Sequence, residues 1–415
     1  MGAMFFEIYY YIAIAAITLE TLFLLLTFRN YRFVMHKYHK VRGWHKAPVC
    51  LIVPCKGLDP GFADNIASFF HQDHSDYRLW FVVGHRSDPA YDELQRLIER
   101  FATSSKARET QVLVAGPATG CSQKIHNLLY AYDRIGNDVD ILAFADSDIR
   151  VRPDWLSHLV WPLRQSRYGA STGYRWFIPK TSNLPSLIVA CLNGKIAQLL
   201  GNMPFNQAWG GSMAVEVRVF REAGIDRLWR KALSDDLSLT RAIKRIGMKL
   251  SFVPACLVPS YDSFTWRQLF EFARRQFLIA RIYAPGTWLF GLVFSFLTVL
   301  GIWGGITAAV YAVSADITPS ALYIAVPCVF LLTQLGQALI RGRMIARVLP
   351  EDTARLRPSF IADILGCWIM STLLFIFIFI SGFGYTIRWR GIHYRLLGPT
   401  DVRIKGVDSP FDPAG

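Results

Sequence analysis

The chain has 415 residues, 52% of them apolar and 18% charged, with a formal charge of +14. That length exceeds one ordinary core, and so greasy a composition excludes a disordered or wholly aqueous chain, because the apolar residues concentrate at the two ends and leave a water-exposed domain between them. Lys and Arg gather beside the apolar segments, which points to anionic membrane lipid and not nucleic acid as the partner of the positive charge.

Residues 8–28 hold a single acid, Glu20, and are long enough to cross a bilayer as a helix. Without a charged leader or a small-residue cleavage site they read as an anchor. Arg29, Arg32, His36, Lys37, Lys40 and Arg42 follow, so residues 1–45 form an anchor with a basic flank on the cytoplasmic side. The seven cysteines, at 50, 55, 121, 191, 256, 328 and 367, contain no C-x-x-C pair. Neither a zinc site nor a disulfide framework is expected, and free thiols suit a reducing compartment.

Residues 46–260 alternate short apolar runs with amphipathic stretches. Runs at 49–55, 77–83, 111–115 and 139–145 end at Lys56-Gly57, Gly84, Gly116 and Asp146, and the stretches 63–70, 91–101 and 123–135 read as helices. This predicts an α/β domain with a mostly parallel sheet covered by helices, a design that takes its ligand at the carboxyl ends of the strands. Asp146 and Asp148 stand at such an end. A strand sends alternate residues to one side, so both carboxylates can approach one divalent cation whose shell phosphates complete. A solvated turn or helix cap is the other reading, since Arg152-Pro153-Asp154-Trp155 follows. The remaining strand ends carry Lys56, Asp59, Asp88, Lys124 and Asn127, which are the acceptors and cations that a nucleotide sugar needs.

Ser234-Asp235-Asp236 opens a helix running to Gly247. It is either a well-capped helix or the source of a general base, because a sugar-acceptor hydroxyl is too weakly acidic to attack unaided while a metal can neutralise the leaving diphosphate.

In residues 261–285, Arg267, Arg274 and Arg281 recur every seven positions, with Phe270, Ala273, Phe277 and Ala280 on an adjacent face. Such a helix lies in the membrane surface or packs on the central domain. Residues 286–386 hold three more apolar stretches, at 287–313, 321–340 and 361–385; the loop 314–320 lacks Lys and Arg, whereas Arg341, Arg343 and Arg347 follow the second stretch. Strict alternation would carry the basic tail, residues 387–415, to the outer side. The last stretch is therefore expected to re-enter or lie at the interface, broken by Gly382 and Gly384. His71 and His74 read as a solvated turn. Glu20, Gln334, Gln337 and Asp363 are polar groups in or near apolar spans, the mark of a transport path in some proteins, but so few of them in three or four spans make a poor conduit.

The ordered set Lys56-Gly57-Leu58-Asp59-Pro60, Asp88-Pro89-Ala90, Lys124-Ile125-His126-Asn127-Leu128, Asp146-Ser147-Asp148, Gly210-Gly211-Ser212-Met213 and Asp235-Asp236, with Trp389-Arg390-Gly391 in the tail, closely resembles the ceramide glucosyltransferase family. The resemblance implies a GT-A domain that transfers a hexose, glucose in the first place, from a UDP-sugar to a ceramide-like lipid hydroxyl with inversion. It implies Asp88 at the nucleotide base, Lys56, Lys124 and Asn127 along the donor, Asp146 and Asp148 on Mg²⁺ or Mn²⁺ and the diphosphate, and Asp236 as catalytic base. Gly211, Ser212, Asp235 and Arg275 fall on the acceptor or diphosphate side. The family's Gln- or Arg-x-x-Arg-Trp is represented by Phe272-Ala273-Arg274-Arg275-Gln276, and Asp235 stands where Glu is common. Diacylglycerol, a hopanoid or a polysaccharide are the other acceptors considered. A multi-pass protein of this kind would reside in a bacterial inner membrane or the Golgi or ER of a eukaryote.

Overall fold

The computed structural model describes residues 2–38, 45–317 and 320–407; Lys40 and Arg42 of the basic flank, and residues 408–415 of the tail, lie outside them. Helix α1 (Gly2–Tyr38) leads into β1 (Val49–Pro54), α2 (Phe62–Ala67), β2 (Tyr77–Val83), α3 (Pro89–Phe101), β3 (Glu109–Val114), α4 (Gln123–Tyr132) and β4 (Ile141–Ala145). Local chemistry sets the helix starts: the Asp88 carboxylate accepts from Ala90 N with Pro89 at the first helical position, and the Ser122 hydroxyl accepts from Ile125 N. The four strands are parallel neighbours, β1 lying between β2 and β4. β1 and β4 are apolar without alternation because both of their faces are covered. Cys50, Ile52, Leu142 and Phe144 pack toward Ile125 and Leu128 of α4, while Leu51, Val53, Ala143 and Ala145 pack toward Ile66 of α2 and Leu94 of α3.

The chain continues through α5 (Trp155–Val160), β5 (Tyr168–Pro179), α6 (Leu184–Ala197), β6 (Ser212–Glu216), α7 (Val217–Glu222), α8 (Ile225–Trp229), α9 (Asp235–Arg245) and β7 (Lys249–Asp262). These add three strands the apolar pattern did not announce. The sheet has seven strands in the order β3-β2-β1-β4-β6-β5-β7, with β6 antiparallel to both neighbours and β5 parallel to β7. Strand β6 touches β5 only at 170–172, so beyond Gly173 the pair β5 and β7 projects as a two-stranded arm. A Cβ at Gly173 would stand 2.0 Å from the Cys256 carbonyl oxygen, so only glycine permits this crossing. Trp176, Ile178 and Leu257 of the arm pack with Val34 of α1, Ala197 of α6 and Leu356.

Helix α10 (Trp266–Tyr283) starts at a Thr265–Gln268 capping box. Next come α11 (Pro285–Val299), a π-helical turn (Leu300–Gly304), α12 (Gly305–Ser314), α13 (Ala321–Val348), α14 (Thr353–Leu365) and α15 (Cys367–Ile380). Three helical segments, Ile8–Tyr38, Pro285–Ser314 and Ala321–Val348, with 31, 30 and 28 residues, are long and apolar enough to cross a membrane. The fourth stretch is a bent pair, Pro350–Leu365 and Cys367–Ile380, turning by 86°. A break was expected here, but at Gly382 and Gly384; it falls at Gly366, and the two expected glycines lie beyond the end of α15.

Residues 386–407 are not a loose basic tail. They form an antiparallel sheet of β8 (Thr386–Trp389), β9 (Ile392–Gly398) and β10 (Asp401–Val407). Ile387, Ile392, Tyr394 and Leu396 join the same core as Ile125, Leu128 and Tyr283. The basic face of α10 is likewise spent on protein: Arg274 donates to the carbonyls of Thr386 and Phe383, Arg281 to those of Gly382 and Gly384, and Arg267 pairs with Glu271. The basic face of that helix thus packs on protein, while its Trp266 and Phe270 stay exposed. The strands β8–β10, which follow the bent pair, pack on the domain that follows α1.

Candidate active site

A cavity of about 820 Å³ opens at the carboxyl ends of β1 and β4 and continues between α6, α10, α11 and α15. Strand β4 delivers Asp146, Ser147 and Asp148 to its rim. The strand itself stops at Ala145 and Ser147-Asp148 form a turn: Ser147 donates to Asp59 Oδ2 at 2.9 Å, while the two carboxylates share Arg175 of the arm, at 3.1 Å from Asp146 Oδ2 and 3.4 Å from Asp148 Oδ2. Asp148 Oδ1 is buried with no hydrogen-bond partner. Burial pushes both carboxyls up. For Asp146 the adjacent Lys124 and Arg175 more than reverse this and leave it below its ordinary value, whereas Asp148, with Asp146 and Asp59 nearby, stays above. Two hard oxygen donors, one of them orphaned, fit a divalent cation whose other ligands come from phosphate. Among the described residues no three His, Cys, Asp or Glu side chains cluster to hold one alone.

Lys124, in the first turn of α4, bridges two elements: its Nζ lies 2.8 Å from Asp146 Oδ1 and 3.0 Å from Asp235 Oδ2. Asp235 is buried, which pushes its carboxyl up to about 6 despite the lysine. Asp236 is only half-buried and lines the cavity. Its Oδ1 accepts from the Ser234 hydroxyl and from Leu237 N (2.7 Å), its Oδ2 from Gly210 N (3.1 Å). Helix capping and a poised carboxylate are thus one arrangement, and the capping and base readings of Ser234-Asp235-Asp236 are compatible.

Gly210 lies against these groups, since a Cβ there would meet Asp235 Oδ2 at 2.3 Å. Gly210 lines the cavity, whereas Gly211 and Ser212, expected on the acceptor or diphosphate side, do not. Ser212 is fully buried and its hydroxyl accepts from Trp155 Nε1. Asn127 lines the cavity and donates to the Val82 carbonyl. Asp88 does not line it; besides capping α3, its Oδ1 accepts from Gly57 N at 2.8 Å and so fixes the loop that carries Lys56.

Three cations complete the rim. Arg275 of α10 has no ion-pair or hydrogen-bond partner among the described residues and stands over the rings of Phe272 and Trp389, each 5.6 Å away. Burial, with Arg175 and Arg390 nearby, lowers it to about 10. An unpaired guanidinium beside two others is a site waiting for an anion. Arg390 sits at the tip of the β8–β9 hairpin, where both turn residues, Arg390 (φ 49°) and Gly391 (φ 74°), are left-handed, as in a type I′ turn. Arginine there costs about 1–3 kcal/mol of backbone strain. The strain is held by contacts: Arg390 Nη1 donates to the Lys56 carbonyl (3.0 Å), Lys56 Nζ to the Arg390 carbonyl (2.6 Å), and the guanidinium spans Asp59. Arg175 and Arg390 were absent from the expected set. Ile387 and Trp389, then Ile392, Tyr394 and Leu396, do alternate around Arg390-Gly391, a hairpin signal the sequence carries. Nothing local marks Arg175.

The sequence model of Glycosyl transferase family 21 matches residues 9–401. A ceramide glucosyltransferase of Gibberella zeae is 32% identical over 135 residues, which cover 31% of this chain and 25% of that protein. Among solved structures, the mannosyltransferase PcManGT from Pyrobaculum calidifontis, in complex with GDP-Man and Mn²⁺, aligns with a TM-score of 0.46 at 13% identity over 89% of this chain and 97% of that one. Glucosyl-3-phosphoglycerate synthase from Mycobacterium tuberculosis, with Mn²⁺, UDP and phosphoglyceric acid, gives 0.37 at 13% identity over 59% and 84%. With one family's sequence pattern running from the first membrane helix to the last strand, the chain belongs to glycosyl transferase family 21.

Proposed function

We propose that this protein transfers a hexose, glucose in the first place, from a UDP-sugar to a ceramide-like lipid hydroxyl with inversion of the anomeric centre. The observation that carries the reading is a single cavity lined by the Asp146–Asp148 pair, by Asp236 and by the unpaired Arg275, continuing between helices of membrane-spanning length. The relative from Gibberella zeae, a ceramide glucosyltransferase, supports glucose and a ceramide acceptor.

In this reading the acceptor hydroxyl lies at Asp236, whose carboxylate removes its proton as the oxygen attacks the anomeric carbon. The bond to the diphosphate breaks with its electron pair, and Arg275, Arg175 and Arg390 take up the charge that develops on the leaving oxygens. One displacement inverts the centre. Mg²⁺ or Mn²⁺ bound by Asp146 and Asp148 would supply Lewis acidity at the diphosphate. Lys56, Lys124 and Asn127 border the donor, and Asp88 shapes the loop beneath its base. The domain 46–260 faces the cytoplasm in this scheme, on the side of the basic residues Arg29, Arg32 and Arg347, with anionic lipid against them.

The test is direct. Purified protein in detergent is incubated with a panel of UDP-sugars and lipids, and the product is identified by mass and anomeric configuration. A β-linked glycolipid from an α-linked donor supports the reading; UDP release with no lipid product, or retention, sinks it.

A further inference from the structure

Two charged clusters lie among the membrane helices, and they differ in one respect. Arg341 is closed on itself, its guanidinium bidentate on Asp363 at 2.8 and 2.9 Å and donating also to Gln198 at 2.6 Å. Lys195 of α6 is not. The residue is 5% exposed, and its ammonium donates to Gln334 Oε1 at 2.9 Å and to Ser371 Oγ at 3.0 Å. An ammonium carries three hydrogens, and the third has no protein partner among the described residues. Lys195 lines the same cavity as Asp236, in the stretch walled by Leu192, Phe277, Phe294 and Leu374. A buried cation in such a place is costly, and an unmet donor on it is a recognition point by default.

An acid already stands in the same hydrogen-bond network. Gln334 relays Lys195 to Glu20, donating at 2.7 Å to its Oε1, and Thr333 and Thr298 donate to the same carboxylate. A further anion beside this acid would have to be desolvated in a low-dielectric setting at a cost of its own, which favours a neutral oxygen as the partner of the third hydrogen.

We propose that Lys195 is a specificity-determining residue for the acceptor: its third ammonium hydrogen bonds a neutral carbonyl or hydroxyl oxygen on the apolar part of the lipid, while the reacting hydroxyl of the same molecule lies at Asp236. This rests on the transferase reading above. The site takes neutral lipids that carry a hydrogen-bonding oxygen beyond the one glycosylated, and discriminates against alcohols that lack it, because an unmet buried donor costs more than a made bond gains.

The test compares two neutral acceptors of equal length, each with one primary hydroxyl, differing by a carbonyl oxygen replaced with methylene. The full-length protein in detergent should prefer the carbonyl lipid by about tenfold or more in kcat/KM, expressed mainly in acceptor KM. Lys195→Met should collapse that ratio toward one, and Lys195→Arg should retain part of it. Because Lys195→Met alone leaves Glu20 without its counter-charge, the double variant Lys195→Met/Glu20→Gln is measured alongside, with thermal melting to verify the fold. A ratio unchanged in both variants overturns the proposal, as does equal use of the two lipids by the wild type. Transfer to neither lipid, nor to any other in the panel, overturns the transferase reading instead.

Discussion

The Arg390 guanidinium grips both carboxylate oxygens of Asp59, at 2.9 and 3.1 Å, although 331 positions separate the two residues. Asp59 follows the first strand of the sheet and Arg390 turns the hairpin between β8 and β9, so this pair closes the rim of the cavity with material from both ends of the chain. Its value is positional: it holds a strained hairpin tip beside Asp146 and Asp148.

Arg390→Ala should raise the KM for the UDP-sugar by about 10- to 100-fold, the range expected for losing a hydrogen bond to a charged group. Arg390→Lys should not restore it, because a point charge cannot span Asp59 and the diphosphate as a planar fork does. Donor titrations of both variants decide this. An unchanged donor KM would reduce the hairpin to packing.

Asp236→Asn should lower kcat by on the order of 10² to 10⁴. Asn keeps one oxygen to accept from Ser234 and Leu237 N but turns its NH₂ toward Gly210 N and leaves that donor unmet, so a stability cost of about 1–3 kcal/mol should accompany the loss of turnover. Asp235→Asn should be milder in turnover. Were Asp235→Asn dead and Asp236→Asn active, the two roles would be exchanged.

The same Asp235 variant carries a pH signature. Burial raises the folded-state carboxyl to about 6, above an unfolded value of roughly 3.9. Stability is then fully present below about pH 4 and falls as pH rises through 6, because the native state must ionise a buried group. Asp235→Asn is spared that loss, so its melting curve should gain on the wild type between pH 4 and 7 and run level below. Parallel curves across the whole range would remove Asp235 as the titrating group.

Chelation with excess EDTA should abolish transfer, and Mg²⁺ or Mn²⁺ should restore it. Asp146→Ala should lose on the order of 10²-fold or more even with metal present, as expected when a Lewis acid at the diphosphate is lost. Full activity of Asp146→Ala in EDTA would dismiss the metal assignment.

Gly210→Ala would place a methyl carbon 2.3 Å from Asp235 Oδ2 and 2.7 Å from Lys124 Nζ. Retreat of Asp235 would break its contact with Lys124, and retreat of Lys124 would break its bridges to Asp235 and Asp146. Overpacking of this kind costs about 1–3 kcal/mol, and activity should fall with it. A melting temperature equal to the wild type, together with normal turnover, would mean that the loop shifts freely.

The part of the site written in local pattern was legible. Asp146, Asp148, Lys124 and Asp236 stand where apolar runs stop or capped helices start, and strand and helix geometry then leave little choice of position. Arg175 was not legible: it owes its place to an arm that forms only where β6 stops pairing at 172, a tertiary event with no sequence period. Arg390 was half legible, its flanks alternating as a hairpin should, but residues 387–415 read only as a basic tail with no place in the site. The bend at Gly366 escaped for a related reason, since apolar content alone does not reveal where a helix turns.

The 86° turn between α14 and α15 sets the order in which the cavity is completed. The chain must finish both helices before Arg390 exists at the rim, so a ribosome that has made only the domain and the helices up to α13 has made that rim without its last guanidinium. On the transfer reading proposed above, a prematurely terminated chain ending anywhere before the hairpin would be left with a compromised hold on nucleotide sugar.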